Sequence, residues 1–298
     1  MPSGRTQSTI VVGVDGSAAS DAAVRWAARE SAMRKLPITL FHVVAPTPID
    51  STMAPDGAIP QVRLDQARQV VEHSREIAAE LTDRQQPRMQ DEIPYAGVVS
   101  TLIEASKDAH MMVTGSRGVD ASSAFRLGSV SAALLRDARC PVAVVHDPEP
   151  GEPKVRDASP VLLGIDGTPA SEAATALAFD EASRRQVPLV ALHAWSDVGV
   201  FPILGMDWHV NRDQGDEVLG ERLAGWHERY PGVQVERRLV CDTPARWLVQ
   251  ESTTAQLVVL GRRGRGGYPG MRLGSVSSAV AQSARVPVIV VPDDQPRD

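Results

Sequence analysis

The sequence predicts an α/β fold of two similar domains in tandem, each a doubly wound parallel sheet with helices on both faces. Three observations predict it. The two halves of the chain repeat each other, apolar strand-like runs alternate with helix-like segments, and a glycine-rich segment returns at the equivalent place in each half. Alternating strands and helices are typical of βαβ units, which build parallel sheets.

The internal repeat divides the chain. At 298 residues it is long enough for two domains of ordinary size. Residues 10–17 match residues 161–168 at an offset of 151, and Gly115 matches Gly261 at an offset of 146. The repeating unit of about 140 residues is too long for a solenoid repeat. We therefore expect a domain over residues 1–147, a Pro- and Glu-rich linker over 148–158, and a second domain over 159–298.

In the first half, β-branched runs predict buried strands and segments with spaced apolar residues predict helices. Either Ser17 or Ser20 can cap the first helix, and Pro37 ends it. The Pro- and Ser-rich stretch over 47–60 predicts a long loop. The predicted strands are Ile10–Val14, Ile38–Val44, Met89–Pro94, Met111–Thr114 and Pro141–His146; the helices are Ser20–Lys35, Leu64–Leu81, Val98–Ala109 and one from Gly128.

The second half repeats this order, with a loop over 196–215 as the counterpart of the first long loop. Its predicted strands are Val161–Ile165, Leu189–Ala194, Val233–Val240, Leu257–Leu260 and Pro287–Val291; its helices are Ser171–Arg185, Asp213–Tyr230, Ala245–Ser252 and Gly274–Ser283.

The glycine-rich segment follows the fourth strand of each half. It has two glycines three residues apart, nine further residues, and then Gly-Ser at a helix start. Glycines let a backbone approach an anion closely, and a helix start offers unpaired N–H groups. The segment therefore predicts a phosphate-binding loop, with a simple tight turn as the alternative. Finding the pattern twice, with different residues between the glycines, favours the loop.

Other sites fit the sequence less well. No lysine stands where a Walker A loop needs one, and Gly264-Arg265-Gly266 is followed by Pro269 where a dinucleotide motif needs glycine. The net charge of -6 argues against a general nucleic-acid binder. The two cysteines are far apart and form no metal or redox motif, and we see neither a signal peptide nor a membrane span.

Two aspartates complete the predicted site. Asp15 and Asp166 follow the first strand of each half, where they can be ordinary Asp-Gly turn residues or can bind a ribose hydroxyl or a metal on the phosphates. In a doubly wound sheet the ligand lies beyond the carboxyl ends of the strands, at the point where strand order reverses. Val43 and Ala194, at the ends of the second strands, can offer backbone groups to a base.

The pattern Gly-x2-Gly-x9-Gly-Ser, together with a first strand ending in Val-Asp-Gly-Ser, resembles the ATP-binding class of universal stress proteins. The resemblance covers both halves and is closest to the tandem-domain actinobacterial and mycobacterial form. It implies five parallel strands per half in the order 3-2-1-4-5, with ATP, alone or with Mg²⁺, at the switch point. It also implies two sets of binding residues: Gly13, Asp15, Val43, Gly115, Ser116, Arg117, Gly118, Gly128, Ser129 and Val130, and then Gly164, Asp166, Ala194, Gly261, Arg262, Arg263, Gly264, Gly274, Ser275 and Val276.

The same resemblance implies a cytoplasmic stress-response sensor that binds adenine nucleotide. It further implies a homodimer, with the last strands of the two halves pairing within one chain, and a regulatory protein partner that the sequence does not identify. No clear general base accompanies the loop, so we expect no catalytic residue and at most slow ATP hydrolysis. A nucleotide-hydrolysing or adenylating enzyme of the related α-hydrolase fold remains the alternative. Replacing Gly115 and Gly261 with alanine is expected to lower nucleotide occupancy and leave the fold intact.

Overall fold

The computed structural model describes residues 8–47, 59–80, 87–119, 127–147, 158–194, 208–241, 243–265 and 271–293, with only the backbone at 208–214. The chain divides into two compact units, Met1–Glu149 and Pro150–Asp298. Most of the first predicted long loop, residues 196–207 of the second, and the predicted linker apart from residue 158 lie outside the described residues. Residues 208–215, also predicted as loop, are helical instead.

The first unit is a five-stranded parallel sheet in the order β3-β2-β1-β4-β5, which confirms the predicted class and strand order. Order reverses between β1 and β4, so the carboxyl ends of these two strands lie side by side. Its elements are β1 Thr9–Gly13, α1 Ala18–Arg34, β2 Ile38–Phe41, α2 Gln61–Glu80, β3 Met89–Glu92, α3 Val98–Ala105, β4 Ala109–Gly115, α4 Ser129–Asp137 and β5 Val142–Val145.

The second unit repeats that sheet in the order β8-β7-β6-β9-β10, again all parallel. Its elements are β6 Val161–Gly164, a 3-10 turn Pro169–Ser171, α5 Glu172–Arg185, β7 Leu189–Ala194, α6 Trp208–Leu223, α7 Trp226–Arg229, β8 Val235–Val240, α8 Pro244–Ser252, β9 Leu257–Gly261, α9 Ser275–Ser283 and β10 Val288–Val291.

Local chemistry explains the ends of α1. The Ser17 hydroxyl accepts the Ser20 N–H at 3.1 Å, so Ser17 is the N-cap of the two candidates. At the other end Lys35 takes the left-handed conformation, with φ 56°, and its N–H donates a hydrogen bond to the Ser31 carbonyl. The chain then enters β2 through Pro37. Helix α1 packs on β1 and β4 and is held at the edge of the switch point.

A segment of the second unit that was predicted as one helix forms two helices. The prediction of a single helix over 213–230 is wrong, because α6 ends at Leu223 and α7 starts at Trp226. Gly225 lies between them with φ 78°, a left-handed backbone that glycine adopts without strain and that interrupts a helix. The break lets Trp226 turn inward and stack on Phe179, with the ring centroids 5.6 Å apart.

The central strands form the core of each unit. Ile10 and Val12 in β1, and Leu163 in β6, are completely buried, as residues covered on both faces of a parallel sheet are. By contrast β3 and β8, at one end of each order, are largely exposed and carry charge: Asp91 in β3, and Glu236 to Arg238 in β8. Among the described helices, none has the length and apolar character needed to cross a bilayer.

Candidate functional site

The aspartate after β1 ties two loops together. Asp15 Oδ1 accepts the Ser17 N–H at 3.0 Å, which forms a compact turn over Gly16 at φ 81°. Its Oδ2 accepts the Val119 N–H at 3.2 Å, from the residue after the second glycine of the glycine-rich segment. The exposed Asp15 carboxylate therefore holds that segment against the β1–α1 turn.

Asp166 repeats this arrangement in the second half. Its Oδ1 accepts the N–H and the hydroxyl of Thr168 at 2.9 and 2.8 Å, and its Oδ2 accepts the Arg265 N–H at 2.8 Å. An ionised carboxylate offers about four lone-pair directions. The turn role is thus present in both halves, and each aspartate keeps acceptor capacity for a further group.

Close packing against these aspartates explains why the second position of each motif is glycine. A Cβ on Gly118 would lie 2.7 Å from Asp15 Oδ2, and one on Gly264 would lie 2.9 Å from Asp166 Oδ2. Both distances are closer than carbon and oxygen atoms approach in proteins, so a side chain here would push the aspartate away. The second glycine of the motif therefore serves the aspartate contact itself.

Gly115, the first glycine, is required by helix packing. A Cβ there would lie 2.6 Å from the carbonyl carbon of Ala19 in α1 and 2.8 Å from its oxygen. At Gly261 the nearest atoms, the carbonyl oxygens of Ala170 and Arg263, would be 3.3 Å away. The two copies of the motif thus differ in how strictly they need glycine.

Helices α4 and α9 begin at the predicted Gly-Ser pairs. Gly128 and Gly274 are the N-caps, neither with a side-chain cap, and their N–H groups donate to the carbonyls of Ser116 and Arg262 at 2.7 and 2.8 Å. The glycine N–H is therefore used to close the loop. The amides that remain without an intrahelical partner are those of the first turn, which begins with Ser129 or Ser275 and continues with Val130 or Val276.

Two serines that the sequence reasoning missed hold the loops from below. The buried Ser131 hydroxyl donates to the Gly115 carbonyl at 2.7 Å, and Ser277 donates to the Gly261 carbonyl at the same distance. The signal was present, since both copies read Gly-Ser-Val-Ser and the second serine repeats as faithfully as the first.

The paired histidines are structural. His42 Nδ1–H donates to the Val14 carbonyl at 2.8 Å, and His193 Nδ1–H donates to the Ile165 carbonyl at the same distance. Each bond anchors the backbone immediately before the turn aspartate. Their role is to hold β1 and β6 beside β2 and β7 at the carboxyl ends of the strands.

A cavity of about 630 Å³ opens at the switch point of the second unit. Nine of the ten predicted residues of this half line it: Gly164, Asp166, Ala194, Gly261, Arg263, Gly264, Gly274, Ser275 and Val276. Arg262 does not, and its N–H donates to the Val291 carbonyl instead. The sequence reasoning missed the start of α8, where Thr243–Arg246 and Leu248 line the cavity, and the apolar walls Leu192, Leu260 and Met271.

Arginines surround this cavity. Arg263 pairs with Asp293, and the Arg265 guanidinium donates to the Ala194 carbonyl at the end of β7. Arg246, in the first turn of α8, is exposed and forms no ion pair with any residue that the structure describes. Ala194 was predicted to offer a backbone group to a base. In the structure its carbonyl already accepts a hydrogen bond from an arginine of the same unit.

In the first half the structure brings Asp15, Gly118 and Arg117 together, since the Ser17 hydroxyl also donates to the Arg117 carbonyl at 3.4 Å. Ser116 is buried and its N–H donates to the Val145 carbonyl at 2.7 Å. Val43 lies half-buried after β2, and Gly13 ends β1 with ordinary space around it. The Ser116 amide is therefore used in a bond to the end of β5, and its side chain is buried.

Metal-binding side chains do not gather here. Within the described ranges, no three His, Cys, Asp or Glu side chains come together as a metal site. At Cys140, before β5, burial raises the pKa of the thiol to about 12.

Comparison with known proteins finds the same family in both halves of the chain, as the internal repeat predicts. A model of the universal stress protein family matches residues 7–146 and again residues 158–292. A universal stress protein of Mycolicibacterium smegmatis is 51% identical over 288 residues, covering 96% of this chain and 97% of the relative. One of Mycobacterium tuberculosis is 49% identical over 293 residues, covering 97% and 98%. The crystal structure of a universal stress protein from Archaeoglobus fulgidus shares the fold, with a TM-score of 0.69, 21% identity, and coverage of 95% and 98%.

Proposed function

This chain belongs to the universal stress protein family, and we propose on that premise that each half binds ATP at its glycine loop. The observation that carries the proposal is the cavity of about 630 Å³ in the second unit, which lies between the Asp166 turn, the glycine loop and the start of α9. A cleft of this size falls in the usual range for small-molecule sites.

The phosphate end would be the start of α9, or of α4 in the first half. First-turn amides without an intrahelical partner and the positive end of the helix dipole favour an anion. The exposed hydroxyls of Ser129 and Ser275 stand at these helix starts. Arg117 and Arg263 would add positive charge from the loop, although Arg263 is partly offset by Asp293.

The base end would be the apolar wall of the cavity. Leu192, Leu248 and Leu260 line it, and Ala194 presents a carbonyl at the end of β7. An apolar slot with few polar groups suits a purine ring. Hydrogen bonds from backbone groups would then provide specificity for the base. Asp166 lies between this wall and the glycine loop, where its remaining lone pairs can accept from ribose hydroxyls.

Mg²⁺ binds few protein groups and commonly relies on one or two carboxylates with the substrate phosphates. Asp15 and Asp166 are the acidic residues at the two turns, and both already accept backbone N–H bonds. A metal would thus be held mainly by the nucleotide, with the aspartate as a single protein ligand.

The proposed role is a regulatory, nucleotide-dependent sensor in the stress response, acting as a homodimer with a protein partner. The aspartates are held in place by backbone N–H donors, and neither is placed to activate water. Bound ATP would contribute its phosphates as the state-dependent group, while the chain binds and orients it. A hydrolysing or adenylating enzyme is the second candidate, and sustained ATP turnover would favour it.

The test uses charge at the helix start. Ser129→Glu with Ser275→Glu places carboxylates where phosphates are expected, and acidic residues in a first helical turn do not destabilise the helix. Calorimetry should show at least about a tenfold loss of ATP affinity, while the matched Gln variants bind within about threefold of the unchanged protein. Purified protein that carries no nucleotide by mass spectrometry, and binds no ATP by calorimetry, would overturn the proposal.

A further inference from the structure

Arg265 crosses the cavity of the second unit. Its backbone N–H donates to Asp166 Oδ2 at 2.8 Å, and its guanidinium donates to the Ala194 carbonyl at the end of β7. All three residues line the cavity. The arginine side chain therefore runs from the aspartate turn to the end of β7, which is the part of the cavity where the base is proposed to lie.

The first half has a valine in place of this arginine. Val119 stands at the same repeat position, and its N–H donates to Asp15 Oδ2 at 3.2 Å, so the backbone anchor is the same in both halves. The Val119 side chain is 68% exposed and, being a hydrocarbon, cannot donate to a carbonyl. The counterpart of Ala194 is Val43. The repeat thus supplies two sites that share the anchor and differ in the side chain it carries.

The carbonyl at the end of the second strand is a group that can distinguish one purine from another. Adenine carries an amino group, which is a donor, at the edge position where hypoxanthine carries an oxygen, which is an acceptor. A carbonyl facing this edge accepts a hydrogen bond from adenine and repels the hypoxanthine oxygen. A site that offers such an acceptor therefore prefers adenine.

In the second unit this acceptor is already engaged. The Ala194 oxygen has a second lone pair, but an amino group approaching it would meet the positive charge of the Arg265 guanidinium. Adenine must then displace the arginine, and it replaces a charge-assisted hydrogen bond with a neutral one, which is the weaker kind. Since Arg265 is exposed, water can take over its donors after displacement, so the cost in affinity stays moderate.

We propose that Arg265 lowers the base selectivity of the second site by competing with adenine for the Ala194 carbonyl, while Val119 leaves the first site selective for adenine. The inference rests on the proposed nucleotide binding at both sites and specifies which bases each site takes. The first site prefers adenine over hypoxanthine nucleotides by about three- to tenfold, the net worth of one hydrogen bond. The second site takes both with nearly equal affinity.

The experiment compares ATP with inosine triphosphate (ITP), whose base is hypoxanthine, by calorimetry on the full chain. The two ligands carry identical phosphates, so a change of charge near the phosphates affects both alike and cancels in the ratio of their affinities. In a Ser129→Glu background only the second site is expected to bind, and Arg265→Val then gives that site the side chain of the first. ATP affinity should rise about three- to tenfold, while ITP affinity stays within about twofold.

The reverse exchange tests the first site. Val119→Arg is made in a Ser275→Glu background, in which only the first site is expected to bind. Because position 119 is exposed, an arginine there needs no repacking of the core. This variant should lower ATP affinity about three- to tenfold and leave ITP affinity within about twofold.

Equal changes in ATP and ITP affinity would overturn the inference, because the arginine would then act on the phosphates or on the loop as a whole. Unchanged or weaker ATP binding after Arg265→Val would show that Arg265 does not compete for the Ala194 carbonyl. Either result would leave the proposed function in place. Absence of any ATP binding in the unchanged protein would refute the proposed function and this inference together.

Discussion

Gly115→Ala should destabilise the first unit through packing. The added Cβ would lie 2.6, 2.8 and 2.9 Å from the carbonyl carbon, oxygen and Cβ of Ala19. The first two are backbone atoms of α1, so relief requires the helix to move rather than a side chain to rotate. Forcing extra volume into a packed site costs roughly 1–3 kcal/mol, and alanine recovers part of this by restricting the unfolded chain. We expect a net loss of about 2 kcal/mol, or ~4–8 °C in Tm for a unit of this size.

Gly261→Ala is the matched control. Its Cβ would lie 3.3 Å from its nearest neighbours, a distance that a shift of a few tenths of an ångström relieves. We expect its effect on stability to stay within about 1 kcal/mol. Urea unfolding combined with hydrogen exchange, which separates the two units by peptide, measures both. If the two variants lose equal stability, or if Gly115→Ala loses none, the packing argument is wrong.

Three further outcomes follow from single contacts. Asp15→Ala removes the acceptor of the Val119 N–H, so hydrogen exchange at that amide should accelerate about tenfold or more, and unchanged exchange would contradict the loop-tying role. Ser131→Ala leaves the carbonyl below the glycine loop without its donor and should cost about 1–2 kcal/mol in urea unfolding; a neutral result would show that the bond adds nothing. Burial raises the pKa of Cys140 to about 12 from an ordinary value of 9.0, so the buried thiol stabilises the fold fully below pH 9 and loses that contribution as pH rises toward 12. A thiol reagent at pH 8 should therefore modify the exposed Cys241 and spare Cys140, and modification of both at equal rates would refute this.

The strand order and the position of the glycine loops could be predicted because they depend on patterns that the sequence repeats. Apolar β-branched runs such as Ile10–Val14 identify buried strands, and the resemblance supplied their order. Strand and helix ends shifted by up to five residues: α2 begins at Gln61 where the prediction began at 64, and α6 begins at Trp208 where it began at 213. Ends depend on caps and on single hydrogen bonds, which apolar periodicity does not report.

Some features of the candidate site could likewise be predicted from the sequence, and others depend on the three-dimensional fold. The aspartates and glycines could be located from the motif, but the contacts that require these residue types could not be predicted. Whether Gly115 faces a ligand or a helix depends on the distance to Ala19, which is set by three-dimensional packing. Thr243 and Arg246 lie at the start of α8, one helix and one strand before the glycine loop, and no motif connects them with it. Such contacts follow from the fold and not from local spacing.

The charged strands at one end of each sheet bear on how the protein behaves at high concentration. A strand at the end of a sheet offers backbone groups that can recruit a strand from another molecule, which is a route to aggregation. Glu236 to Arg238 place consecutive charges along β8, and Asp91 in β3 is neutralised by Arg75 across 2.5 Å. An incoming strand would have to bury these charges. The charges on these strands would therefore disfavour the recruitment of this chain into aggregates at high protein concentration.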